Sequence, residues 1–398
     1  MQRITMNWQG AVVKAQSLKS TAKAVALAAV LAAAAGGYAQ AADMPVKAPA
    51  KAPPPAPFFF VNDTAVSFTY FFDWTDPGVS GGADRVPGGV GDTGNKFWMS
   101  QGSLDHFDLW EYGATLLHLE VNQSDKADPI QGQPGAQGAR EFYGFAQETF
   151  SGDALTHSKI FTTPITNDVG LLVRLTAGTE NNFLAEETTQ YDIGGNVDFA
   201  LPKILGGSMQ VGIAAHKEHT YNEFNACSPG GFGVASGGAS GACIGGGSFS
   251  GARDFEWTWR LIEFNVVPLG GLLGAWADSA HIVNLLSVIG PKGTGISTAQ
   301  CIALGCGGAL GAFQNNETKT EIFEDVRLSV DTSKIFWGKP GIWDTYVGYR
   351  YWENRFGTNH NAALFAGCTT CGFGGTAAGA PGSSIMSTAY VGTTYHFK

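Results

Sequence analysis

Six cysteines, a histidine pair and one serine among glycines are the residues of this 398-residue chain whose types and spacing could do chemistry. Gly78-Val79-Ser80-Gly81-Gly82 matches the GxSxG pattern of a nucleophile elbow, in which a turn between a strand and a helix presents a serine hydroxyl for acyl transfer. Here the pattern lies inside a glycine-rich stretch with neither element beside it, and among 55 glycines such a match arises by chance. His216-Lys217-Glu218-His219 carries metal-ligating side chains, but in a strand positions 216 and 219 point to opposite faces and cannot share an ion. Cys368-Thr369-Thr370-Cys371 has the CxxC spacing of zinc sites, yet no second CxxC or nearby histidine pair completes a tetrahedral set. Catalysis, a metal and any other cofactor are therefore not expected. Pairing is the chemistry left to the cysteines. Cys227 with Cys243, Cys301 with Cys306 and Cys368 with Cys371 would each close a local loop, one arrangement among the many that six cysteines allow.

A second group of ionisable residues recurs at alternate positions, opposite an apolar face. His118 and Glu120 form one such pair; Arg174 stands alone; Asp254, Glu256 and Arg260 follow. Lys319, Glu321, Asp325 and Arg327 continue the pattern, as do Asp344, Tyr346 and Arg350. Charges facing lipid cost about 2 to 4 kcal/mol near the midplane, so on a membrane-spanning sheet these side chains belong inside. The candidates to line an interior are His118, Glu120, Arg174, Glu256, Arg260, Lys319, Asp325, Arg327, Tyr346 and Arg350. They could pair across the interior and fill it, or line a channel where arginines and carboxylates orient hydrogen-bonding solutes. Glu324 falls on the apolar side of its segment, which places it near a rim or marks a slip in register.

The elements that must position these residues are strands. In 66–74 every even position is apolar and the odd ones are mostly small or polar, a period of two. Similar segments recur at 96–107, 114–122, 140–150, 169–178, 188–200, 208–221, 253–267, 275–289, 317–331, 342–354 and 387–397, twelve in all. Counting connections from the first strand, 78–94, 125–138, 222–251, 290–316 and 356–384 fall at one end and are long or glycine-rich. Those at the other end, such as 201–207 and 268–274, are short. Long loops outside and short turns inside are the asymmetry of a bacterial outer-membrane barrel. All six cysteines lie in the last three long loops. The exception is 151–168, a long connection on the short-turn side that hides an extended strand end.

Both ends of the chain agree with that reading. Arg3, Lys14, Lys19 and Lys23 precede and flank an apolar run at 24–35, and Ala39-Gln40-Ala41 fits a small-x-small cleavage site, so 1–41 reads as a signal peptide. The proline-rich segment 42–61 reads as a periplasmic lead-in, and 62–398 as the barrel. Losing the leader removes four of 24 basic residues and none of the 34 acidic ones, which leaves 20 against 34, or −14, and argues against a nucleic-acid partner. At the other end Val391, Thr393, Tyr395 and Phe397 alternate as a final strand that would zip against the first and carry the signal read by the barrel-assembly machinery. The expected partners are outer-membrane lipid and small hydrophilic solutes.

Four segments, Phe107-Asp108-Leu109-Trp110-Glu111-Tyr112-Gly113, Val288-Ile289-Gly290-Pro291-Lys292-Gly293, Glu317-Thr318-Lys319-Thr320-Glu321 and Gly348-Tyr349-Arg350-Tyr351-Trp352, resemble the Tsx-like outer-membrane proteins. The resemblance is scattered over 96–397. It implies a narrow monomeric twelve-stranded barrel whose slot-like pore, lined by aromatic and ionisable residues, binds nucleosides weakly. The cysteine-bearing loops look like additions to that pattern. The competing expectation is a non-conducting barrel that acts through its extracellular loops as a structural or adhesive surface.

Overall fold

The computed structural model describes residues 59–74, 97–125, 138–180, 187–202, 206–221, 252–274, 277–293, 318–357 and 385–397. The leader, most of the lead-in, the serine-glycine motif and all six cysteines lie outside these residues. The strands are β1 (Phe59–Trp74), β2 (Phe97–Trp110), β3 (Gly113–Ser124), β4 (Arg140–Ser151), β5 (Thr166–Glu180), β6 (Glu187–Phe199) and β7 (Ser208–Tyr221). They continue as the three-residue β8 (Ala252–Asp254), then β9 (Thr258–Pro268), β10 (Ala280–Ile289), β11 (Glu321–Asp331), β12 (Trp343–Glu353) and β13 (Met386–Phe397). Neighbours pair antiparallel, β6 joins β7, and β13 returns to β1, so the sheet closes on itself. Because β8 and β9 share one edge of β7, the ring has twelve wall positions.

Closure follows from the alternation. On β1, Val66, Phe68 and Phe72 are 44%, 55% and 48% exposed on the outside, whereas Ala65, Ser67 and Thr69 are buried within. An open sheet would leave backbone donors and acceptors unpaired in hydrocarbon, and a ring leaves none. The seam is zipped by eight residue pairs from Thr64↔Phe397 to Phe71↔Tyr390, and by a buried bond of 2.7 Å between the Ser67 and Thr394 hydroxyls. Val391, Tyr395 and Phe397 face outward, completing the apolar belt across the seam. The protein is a transmembrane β-barrel of the bacterial outer-membrane type.

The turn end is compact. β2 and β3 are joined by Glu111 and Tyr112 alone. The 151–168 connection contains a one-turn helix, α1 (Gly152–Thr156), capped by the Ser151 hydroxyl, and β5 begins three residues earlier than the alternation indicates. The β9–β10 connection carries α2 (Gly270–Leu273). In the β11–β12 connection α3 (Thr332–Trp337) is capped by Asp331, whose other carboxylate oxygen accepts from Gly341 N–H at 2.8 Å. Gly338 closes α3 at φ 64°, a left-handed conformation where a side chain would be strained.

Two positions depart from the expected strands. The 253–267 segment is not continuous, because Phe255, Glu256 and Trp257 interrupt it between β8 and β9 and Phe255 turns inward to complete burial. On β1 a register shift between Phe71 and Trp74 rotates Trp74 from the lipid side to the inside. Glu324 does face outward, three residues from the loop-end start of β11, which is a rim position.

Candidate functional site: the barrel lumen

The inward positions of the strands enclose a cavity of about 430 Å³. Its walls reach from Trp74, Glu180 and Arg355 at the loop end to Asp63, His281 and His396 at the turn end, so it runs the height of the barrel.

Three polar networks stand on these walls. The first spans β6, β7 and β9. Asp192 accepts from His216 Nδ1 at 2.7 Å and from Arg260 Nη1 at 3.0 Å, and Arg260 also donates to Gln190 at 3.1 Å and to the Ser287 hydroxyl at 2.9 Å. Above it Lys292, fully buried, reaches in from the segment after β10 and bonds Glu218 at 2.7 Å and Glu321 at 2.8 Å. Burial alone would discharge the Lys292 ammonium, but Glu218 and Glu321 outweigh it and raise its pKa above the usual lysine value. Its carbonyl accepts from Thr318 N–H at 2.9 Å and its N–H donates to the Thr318 hydroxyl at 2.8 Å, so the two feet of the β10–β11 loop are tied together at the mouth.

The second network stands on β2, β3 and β4. His118 bridges Asp105 at 2.6 Å and Glu120 at 3.0 Å, and Gln101 donates to Glu120 at 2.7 Å. The third stands on β11, β12 and β13, where Arg350 donates to Asp325 at 2.7 Å and Asp325 also accepts from the Tyr390 hydroxyl. Charges address each other across the lumen: Arg350 acts on Glu120 of β3, and Arg327 on Asp105 of β2. Carboxylates and guanidinium groups thus share the interior, some paired on the same wall and some facing each other across it.

Beside the third network lies an aromatic wall formed by Phe71, Trp74, Phe97, Met99, Tyr346, Met386 and Tyr390. Two glycines shape it. Tyr390 stands opposite Gly348 and Tyr346 opposite Gly392, and a Cβ on either glycine would fall 2.2 Å or 2.3 Å from the facing ring. Each tyrosine therefore lies flat against the wall instead of projecting into the bore. Their hydroxyls are held, Tyr390 by Asp325 and Tyr346 by Thr69 at 2.7 Å. Arg350 sits over the Phe71 ring at 4.9 Å, and Arg355 over Trp352 at 4.9 Å.

No protein-family model and no curated protein matches the chain. Among solved structures it is similar to the KdgM porin, with TM-score 0.32 and 8% identity over 84% of this chain and 99% of that one. It is likewise similar to the translocator domain of the autotransporter NalP from Neisseria meningitidis, with TM-score 0.34 and 11% identity over 84% and 88%. The outer membrane channel DcaP of Acinetobacter baumannii gives TM-score 0.29 and 8% identity over 84% and 96%. These likenesses concern the barrel fold alone.

Eight of the ten residues singled out by alternation have side chains on the cavity wall: His118, Glu120, Arg174, Arg260, Asp325, Arg327, Tyr346 and Arg350. Glu256 and Lys319 do not. Glu256 is exposed in the break between β8 and β9, where its N–H donates to Gly293 at 2.9 Å, and Lys319 precedes β11, which starts at Glu321 rather than 317. Asp254 is also turned outward, paired with Lys217 at 2.8 Å. Alternation could not place them because the break after β8 and the late start of β11 interrupt the period. His216 and His219 do take opposite faces, His216 fully buried and His219 exposed. Sequence reasoning missed Asp192 as a buried inward-facing residue and Glu218 as a cavity-wall one, although the period of two through Gln190, Asp192, His216 and Glu218 carried that signal. It also missed the inward aromatic wall, since an apolar side chain on a membrane strand is assigned by default to lipid. Nothing local marks Lys292, whose partners lie 74 and 29 residues away.

Proposed function

We propose that this barrel is a passive diffusion channel for small hydrophilic solutes. The observation that carries the reading is the cavity running from loop end to turn end between walls that carry both carboxylates and guanidinium groups, beside an aromatic surface kept flat by Gly348 and Gly392. Opposed charges orient a dipolar solute, the flat rings offer apolar contact to a planar one, and neither holds it so tightly that it cannot leave. Nucleosides, with a planar base and a polyhydroxyl sugar, suit such a slot, in keeping with the Tsx-like segments. No energy coupling and no catalytic step is required.

The cross-lumen interaction of Arg350 with Glu120, together with the modest 430 Å³ of space, favours one alternative, a barrel filled by its own side chains that works through its loops. Single-channel recording of the refolded protein in a planar bilayer separates the two. Discrete openings that adenosine reduces and sucrose does not are the expected result. Openings indifferent to adenosine would remove the nucleoside assignment, and silence from demonstrably folded protein would overturn the channel.

A further inference from the structure

Most cations on the lumen wall are neutralised by the protein itself. Arg260 has Asp192 at 3.0 Å, Arg350 has Asp325 at 2.7 Å and Arg355 has Glu141 at 3.9 Å, and Lys292, buried behind the wall, has Glu218 and Glu321. Two guanidinium groups depart from this rule. Arg174 is 4% exposed and lines the cavity, but among the described residues no carboxylate lies within ion-pair distance of it. Its Nε is 3.4 Å from the Thr176 hydroxyl, its plane stacks 3.6 Å over Phe145, and the Tyr143 hydroxyl is a further polar neighbour. Arg327 lines the cavity too, with its Nε buried and without a hydrogen-bond partner and its guanidinium 5.0 Å over the Tyr346 ring.

The carboxylates nearest to these two are already engaged. Asp192, which acts on Arg174, is held by His216 and Arg260. Asp325, which acts on Arg327, is held by Arg350 and Tyr390, and Asp105 by His118. A buried cation without a counter-charge is unfavourable, and an aromatic face compensates it only in part. A guanidinium offers a planar fork that matches a carboxylate, so an anion entering the cavity supplies what the wall withholds.

We propose that Arg174 and Arg327 are open anion-binding positions of the lumen, each taking the carboxylate of a small solute in transit. The proposal rests on the channel reading for its transport role but not for binding. The committed carboxylates nearby keep the attraction shallow, which release from a channel requires.

Benzoate, with benzyl alcohol as its uncharged counterpart, tests this on refolded wild-type protein and on Arg174→Gln, Arg327→Gln and the charge-retaining Arg174→Lys. Folding of each is verified by heat-modifiable gel mobility. Benzoate should reduce the single-channel current, with the half-blocking concentration raised about tenfold in both glutamine variants and largely retained in Arg174→Lys, while benzyl alcohol has no effect. An unchanged half-blocking concentration in both glutamine variants, equal block by benzyl alcohol, or no block of a conducting wild-type channel overturns the proposal. Should the folded barrel not conduct, the channel reading fails and the site is tested apart from it by calorimetric titration with benzoate. Binding weakened in both glutamine variants supports the site, and absent or unchanged binding overturns it.

Discussion

Lys292 is the residue on which the mouth of the barrel depends most. It is fully buried between two carboxylates, and removing it leaves Glu218 and Glu321 facing each other without their cation. Lys292→Met should therefore destabilise the barrel by about 3 to 5 kcal/mol, measured by urea unfolding in detergent. The sign of the pH effect follows from the raised pKa. The contribution of Lys292 is complete below the ordinary lysine pKa and is lost as pH climbs through the raised value. From about pH 10.4 upward the wild type should lose stability that Lys292→Met does not lose.

At the scale of elements, the pairing of β12 with β13 decides how much bore is open. Each tyrosine needs a glycine opposite, and the two glycines are on different strands, so register and not local sequence sets the geometry. Gly348→Val should push the Tyr390 ring off the wall and into the lumen, lowering unit conductance while the barrel still folds. Gly102→Ala, whose added carbon would meet nothing within 4 Å, should leave conductance as it is. Single-channel recording with both variants checks the contrast, and equal conductance in all three proteins would mean that Tyr390 does not narrow the path. The same scale explains the misplaced residues: Glu256, Lys319 and Asp254 sit at strand ends, where a period of two stops.

For the whole molecule, the difference between inside and outside is a difference of solvent. Val347 is 54% exposed on the outer wall of β12, between the inward-facing Tyr346 and Gly348. Val347→Arg should cost about 2 to 4 kcal/mol of stability in lipid vesicles if it lies near the midplane, while in detergent micelles, which rearrange around a charge, the loss should be smaller. Unfolding titrations in the two media check this.

Alternation by itself determined the barrel, the inward face of eight lumen residues and the zipped terminal strand, because side-chain period and the need to satisfy every backbone group in lipid are local rules. Only the tertiary structure decided which inward residues meet. Arg260 joins Asp192, Lys292 joins Glu218 and Glu321, and Tyr390 lies over Gly348, while Arg174 and Arg327 make no ion pair among the described residues. Those outcomes depend on which strands stand beside or across from each other once the ring closes. Distances across a lumen leave no mark on the sequence of any one strand.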